Sequence, residues 1–256
     1  MEFFEINGRR YARFARLGRE TGLRHAFSTR PIDVSAREDE RAPRRDAARR
    51  AMAADLGLDP SSICYCVQVH DTRVAVIDGP PLDRRLEEYD ALVTARKDVA
   101  LMTFSADCPL VLLFDPRLGI VGMVHASWRC TVASATLALV RTMRERFGCD
   151  PAGLLAGIGP SAGPERYEVG QDVYDAASNL PEREQLFPRR DGRMYFDLWT
   201  ANRVQLQRAG LAAENIEVAG ICTMTDASTF YSFRREGAGC GHFGLMAGLT
   251  RGASDR

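Results

Sequence analysis

The 256-residue chain has no apolar run approaching the ~18 residues of a membrane helix, so no membrane partner is expected. It has no net charge either: 34 Lys and Arg balance 34 Asp and Glu. Without a bulk basic field, nucleic acid is not an expected partner, and an anionic ligand would have to meet local arginine clusters. The N-terminus, MEFFEINGRRYARF, does not have the basic-then-apolar layout of a secretory signal. The seven cysteines are odd in number and show no pairing rhythm, which points to a reduced cytoplasm rather than a disulfide scaffold. Repeats, low-complexity blocks and dividing linkers are absent, so one domain over residues 1–256 is expected. Histidine is scarce. Only His25, His70, His125 and His242 occur, which makes their positions informative.

What is present centres on residues 99–131, VALMTFSADCPLVLLFDPRLGIVGMVHASWRCT. Its two apolar runs, 111–114 and 120–124, read as buried strands. Cys108 stands just before the first and His125 ends the second. Upstream, Asn7-Gly8 between apolar residues predicts a hairpin. Residues 33–46 are charge-rich and predict an exposed loop, followed by a helix from about Asp46 to Leu56 with Gly57 as its stop. The alternation from Cys64 to Ile77 predicts a strand that carries His70, and Gly79-Pro-Pro81 predicts a turn. A helix is expected from Thr131 to Phe147, starting close enough to His125 for its free amides and Arg129 to face an anion. Asp197 should cap a further helix from Leu198 to Ala209. Residues 182–193 read as a surface loop, and the tail from Thr250 as frayed.

His70, Cys108 and His125 are separated by 38 and 17 residues, which is not zinc-finger spacing. Their placement at strand ends leaves three readings open. Two imidazoles and a thiolate can hold a catalytic zinc with one open position. Cys108 can be a nucleophile with His125 as its base. All three can also be inert, packed side chains.

Six segments in this chain resemble one family in order: FSTR (27–30), QVH (68–70), SADCPLVL (105–112), VHASWR (124–129), GIGPSAGPERYEVG (157–170) and CTMTDASTFYSFRREG (222–237). The resemblance is to the bacterial laccase-domain or peptidoglycan-editing-factor family, also labelled polyphenol oxidase. It implies an α/β fold, a four-layer α/β/β/α sandwich with mixed sheets. By position it implies metal ligation by His70, Cys108 and His125, with zinc as the cofactor. Soft ligands can take copper, but one His2Cys set falls far short of a multicopper centre. The implied activity is purine nucleoside chemistry: phosphorolysis of adenosine, inosine or methylthioadenosine, with adenosine deamination alongside. The alternatives are a hydrolase that removes L-serine from a UDP-MurNAc conjugate and a metal-retaining binding protein without turnover. Cys108, His125 and Arg129 are the expected catalytic residues. Arg30, Arg50, Asp90, Arg129, Ser232 and Arg234 are the expected substrate ligands, the arginine forks suiting phosphate.

The chain departs from the family pattern at several glycines. HAGWRG reads HASWRC, so Ser127 and Cys130 replace glycines. Ile32-Asp33 stands where a glycine pair is usual, Arg49 replaces an asparagine, and Cys240-Gly241 replaces Gly-Arg. With this cysteine count and distribution, all seven thiols should titrate as free in denatured, metal-stripped protein. A stoichiometric disulfide at Cys64 or Cys66 would overturn the reduced-compartment reading.

Overall fold

The computed structural model describes residues 1–79 and 85–250. Most of the turn expected at 79–81 and the tail beyond Thr250 lie outside the described residues.

Sixteen described strands form two large mixed sheets and one small one. In chain order they are β1 (Glu2–Ile6), β2 (Arg9–Arg13), β3 (Leu23–Ser28), β4 (Ile63–Val67), β5 (Val74–Ile77), β6 (Arg85–Glu87), β7 (Ala91–Thr94) and β8 (Ala100–Ser105). They continue with β9 (Leu110–Asp115), β10 (Ile120–His125), β11 (Leu155–Ile158), β12 (Glu168–Val169), β13 (Arg189–Arg190), β14 (Arg193–Tyr195), β15 (Ile216–Val218) and β16 (Phe243–Leu249). The first sheet runs β1-β2-β3-β16-β8-β4-β6 and the second β15-β11-β9-β10-β7-β5. Both mix directions: β16 is antiparallel to β3 and β8, and β4 is parallel to β8. In the second sheet β9 and β10 are antiparallel, while β5 and β7 are parallel.

The layers follow from two-sided burial. In the LVLLFD run of β9, Leu110, Leu112 and Phe114 point to one face, where they meet Phe27, Leu101 and Leu245 of the first sheet. Val111 and Leu113 point the other way, onto Leu139, Val140 and Met143 of the helix Ala135–Phe147 and onto Leu206 of the helix Leu198–Arg208. The outer face of the first sheet, through Met102, Phe104 and Met246, packs on Met52 and Ala53 of the helix Ala42–Asp55. The result is helix, sheet, sheet, helix. A strand buried on both faces must be apolar at every position, which is why the core reads as continuous runs.

Several expectations take a different form. The Asn7-Gly8 hairpin is present, with both residues at positive φ (52° and 71°) and Ile6 paired with Arg9. The run from Cys64 to Ile77 is two strands in different sheets, and residues 68–73 cross between them. The helix expected from Thr131 begins earlier, as Trp128–Val132, breaks at Ser134 (φ 64°), and resumes at Ala135. Asp197 caps its helix as expected, accepting from the Thr200 amide at 2.9 Å. Residues 182–193 are not a bare loop but include the short helix Arg183–Leu186 and the hairpin partner β13.

Residues 33–46 differ from the expectation in part. Arg45 is buried, its guanidinium shared between Asp33 and Asp39 at 2.8 Å each. Arg49 is buried too and donates to the Val34 and Ser35 carbonyls. The loop is otherwise as expected, with Glu38, Asp39, Glu40 and Arg41 exposed, but the helix starts at Ala42 rather than near Asp46.

Gly157 in β11 shows how closely the sheets approach. A Cβ there would stand 2.4 Å from the Phe14 ring. Gly157→Ala should therefore destabilise by about 1–3 kcal/mol, as overpacking does. Gly153→Ala, which would meet nothing within 4 Å, should be near neutral in the same thermal melts.

Candidate metal centre

The candidate residues gather at one end of the sandwich, where chain passes between sheets. His70 lies on the crossing from β4 to β5, Cys108 on the crossing from β8 to β9, and His125 is the last residue of β10. β4 and β8 run parallel, so both crossings leave the first sheet at the same end. The two imidazoles meet edge to face with ring centroids 5.1 Å apart.

Asp90 sets the position of both histidines. Its Oδ1 accepts from His125 Nδ1 at 2.8 Å, and its carbonyl accepts from the His125 amide at 2.8 Å. Its Oδ2 accepts from the amides of Val69 and Asp71, at 3.0 and 2.8 Å, on either side of His70. A carboxylate can only accept, so His125 carries its proton on Nδ1 and offers the Nε2 lone pair. Burial pushes the Asp90 carboxyl up, but the His125 and backbone hydrogen bonds outweigh it and hold the group below the usual range. His70 is held below the ordinary imidazole value, first by burial and then by His125, which keeps it neutral and able to ligate at pH 7.

Backbone strain marks the same place. His70 has φ 64° and Asp107, beside Cys108, has φ 101°. Such conformations cost energy in residues with a Cβ and persist only where the surroundings enforce them. The Asp107 carboxylate accepts from Thr223 Oγ1 at 2.6 Å and the Arg234 amide at 2.7 Å, which holds it in place. Gln68 ties down the QVH segment from the other side, its amide donating to the Phe104 carbonyl and accepting from the Phe104 amide.

His70, Cys108 and His125 all line one cavity of about 680 Å3, a size ordinary for small-molecule sites. The donor atoms within 4.8 Å of one another, among the described residues, are those of His70, His125 and Cys130. Cys108 lines the cavity wall without belonging to that group. Burial and the Asp107 carboxylate push the Cys108 thiol up to about 12. A thiol held that high is neutral at pH 7, which removes support for Cys108 as a metal-free nucleophile. Two imidazoles and nearby thiols fit a borderline-soft metal, which would itself deprotonate the sulfur.

The arginines divide. Arg129 and Arg234 line the cavity, and neither has an ion-pair partner among the described residues. Arg129 lies 4.3 Å from the Trp128 ring centroid and Arg234 4.7 Å from that of Tyr167. Arg30 and Arg50, expected as substrate ligands, lie elsewhere. Arg30 pairs with Glu236 at 2.7 Å in a separate cleft, and Arg50 pairs with Asp46 one helical turn away at 2.7 Å. Asp90 and Ser232 also leave the substrate list. Asp90 is spent on the histidines, and buried Ser232 caps the helix Phe233–Glu236 by accepting from the Arg235 amide at 3.2 Å. Arg37 and His242, joined at 3.2 Å, also line the cavity, although neither was among the expected site residues.

Replacing Asp90 tests its hold on the site. In Asp90→Asn an amide NH2 would face donors, so the variant should lose about 1–3 kcal/mol of stability and ~10–100-fold in metal affinity. Because the carboxyl is depressed in the fold, its contribution is full above the unfolded value near pH ~3.9 and is lost as pH falls through the lower folded one. The stability gap between wild type and variant should accordingly close in acid, which pH-dependent melts would measure.

Comparison with known proteins agrees with this geometry. The family described as "Multi-copper polyphenol oxidoreductase laccase" matches residues 17–250. The chain is 37% identical over 240 residues to a purine nucleoside phosphorylase of Deinococcus radiodurans, covering 89% of each. It is 35% identical over 205 residues to adenosine deaminase RL5 of an unknown prokaryotic organism, covering 76% of this chain and 78% of that one. The crystal structure of YlmD from Geobacillus stearothermophilus superposes with a TM-score of 0.84 at 26% identity, covering 91% of this chain and 93% of that one. With two large mixed sheets, a cavity at their crossings and a match over nearly its whole length, the chain belongs to this laccase-like family.

Proposed function

We propose that the chain is a single-domain, zinc-dependent purine nucleoside enzyme, and that its principal reaction is phosphorolysis. The observation that carries the reading is the pair Arg129 and Arg234, cations that line the cavity holding the histidine pair and have no carboxylate partner among the described residues. A guanidinium fork binds phosphate bidentately. Purine nucleoside phosphorylase is the name carried by the Deinococcus radiodurans relative, which supports the same substrate class.

His70 and His125 would hold the metal together with a cavity thiol, Cys108 by resemblance. A zinc ion there would supply Lewis-acid polarisation of a substrate oxygen. The protein's own work is positioning. Asp90 fixes the tautomer of His125, and Arg129 and Arg234 hold and orient phosphate for attack. In the reaction a phosphate oxygen bonds to ribose C1′ while the bond from C1′ to the purine nitrogen breaks. The purine leaves with the electron pair and takes up a proton. Tyr167 and Phe233, on the cavity wall, offer aromatic faces to the base.

Adenosine deamination is the second reading, supported by the relative that carries that name and by the same donor cluster. A nucleoside screen separates the two: phosphate-dependent release of free base marks phosphorolysis, and ammonia release with inosine formation marks deamination. Serine release from a UDP-MurNAc conjugate with nucleosides untouched would replace both. Nucleoside binding without turnover would make the chain a binding protein.

Arg129→Lys keeps the charge but loses the planar fork. Losing a charged hydrogen bond costs roughly 1.5–3 kcal/mol, so phosphate-dependent kcat/KM should fall about 10- to 150-fold with fold and metal content intact. A lower Tm and zinc content with unchanged kcat/KM in the folded fraction would make Arg129 a structural brace.

A further inference from the structure

We propose that Cys130 is a direct metal ligand in this chain. The inference rests on the metal-dependent reading above and concerns which sulfur the metal meets. Cys130 has no solvent exposure, and its Sγ lies within 4.8 Å of the donor atoms of both His70 and His125. Cys108, the sulfur indicated by resemblance, stands outside that group.

Local structure explains how a residue five positions after His125 returns to it. β10 ends at His125, and a helix starts at Trp128 with Ser127 as its N-cap. One turn of helix folds Cys130 back beneath the strand end. Ser127 and Cys130 then bond reciprocally: the Cys130 amide donates to Ser127 Oγ at 3.3 Å, and the Ser127 hydroxyl donates to Cys130 Sγ at 3.1 Å. The two bonds fix the direction of the Cys130 side chain.

The two residues are also the two at which HASWRC departs from the family's HAGWRG. They are not independent losses of glycine, because one side chain orients the other. A metal on His70, His125 and Cys130 would be held by two side chains that line the cavity and one that does not. Asp90, which aligns both histidines, is buried, as Cys130 is.

The test counts sulfur ligands without using turnover. Purified protein is stripped, loaded with Co2+, and the thiolate-to-cobalt charge-transfer band is compared in wild type, Cys130→Ala, Cys108→Ala and the double variant. Zinc affinity is measured in parallel by chelator competition. The proposal expects Cys130→Ala to lose band intensity and to weaken zinc by at least the ~10–100-fold seen when a supporting partner of a metal ligand is lost. Cys108→Ala then shows whether the set holds one sulfur or two. An unchanged band in Cys108→Ala means Cys130 is the sole sulfur; a partial loss in each single variant means both ligate, and either result supports the proposal. Should Cys130→Ala fold poorly, Cys130→Ser and Cys130→Gly take its place, since neither returns a sulfur. A full band and unchanged zinc affinity in every folded Cys130 variant overturns the proposal and leaves the metal-dependent function standing. Absence of cobalt and zinc binding in wild type overturns both.

Discussion

One buried carboxylate holds the candidate centre together. Asp90 accepts four hydrogen bonds if its carbonyl is counted with its two carboxylate oxygens: two from His125 and two from the amides that flank His70. Burying a charge is costly unless it is compensated in this way. Here the compensation comes entirely from the groups that must be positioned. The carboxylate needs the two imidazole-bearing segments, and they need it. The left-handed backbone at His70 persists because amides on both sides of it are committed to the same oxygen.

The sandwich makes that arrangement possible. Its two sheets share a core built from strands that are apolar on both faces, and residues that cannot be buried are displaced to the ends. At the end where β4 and β8 hand the chain to the second sheet, backbone leaves regular pairing and polar side chains can converge. The charge-rich segment 33–46 joins them, held by buried Arg45 and Arg49, and brings Arg37 to the rim of the cavity. The cavity walls therefore come from parts of the chain distant in sequence, fixed by ion pairs and caps rather than by a single motif.

Much of this was legible in the sequence. Two-sided apolar runs gave the strands 110–115 and 120–125, Asn7-Gly8 gave the hairpin, and Asp197 gave a helix cap, because each depends on contacts close along the chain. His70 and His125 stood out because histidine is rare; His125 ends β10, and His70 lies three residues past β4. What was missed depends on side-chain direction and on long-range pairing. Arg50 faces Asp46 on its own helix, and Arg30 finds Glu236 more than two hundred residues later, so neither is available to the cavity. Asp90 looked like a substrate ligand because its partner His125 lies 35 residues away. Cys130 passed unnoticed as a donor because the expected helix began at Thr131. Starting it at Trp128 turns the thiol inward.

The location of the histidines has a mechanical consequence. His70 belongs to the strap that joins the first sheet to the second, whereas His125 is anchored in the second sheet alone. A metal bridging the two would act as a rivet across the sandwich, resisting any sliding of one layer over the other. Sheet breathing would then be geared to the coordination sphere. Loss of such an ion would loosen the end of the sandwich that carries the cavity, and not only the few side chains that would touch it.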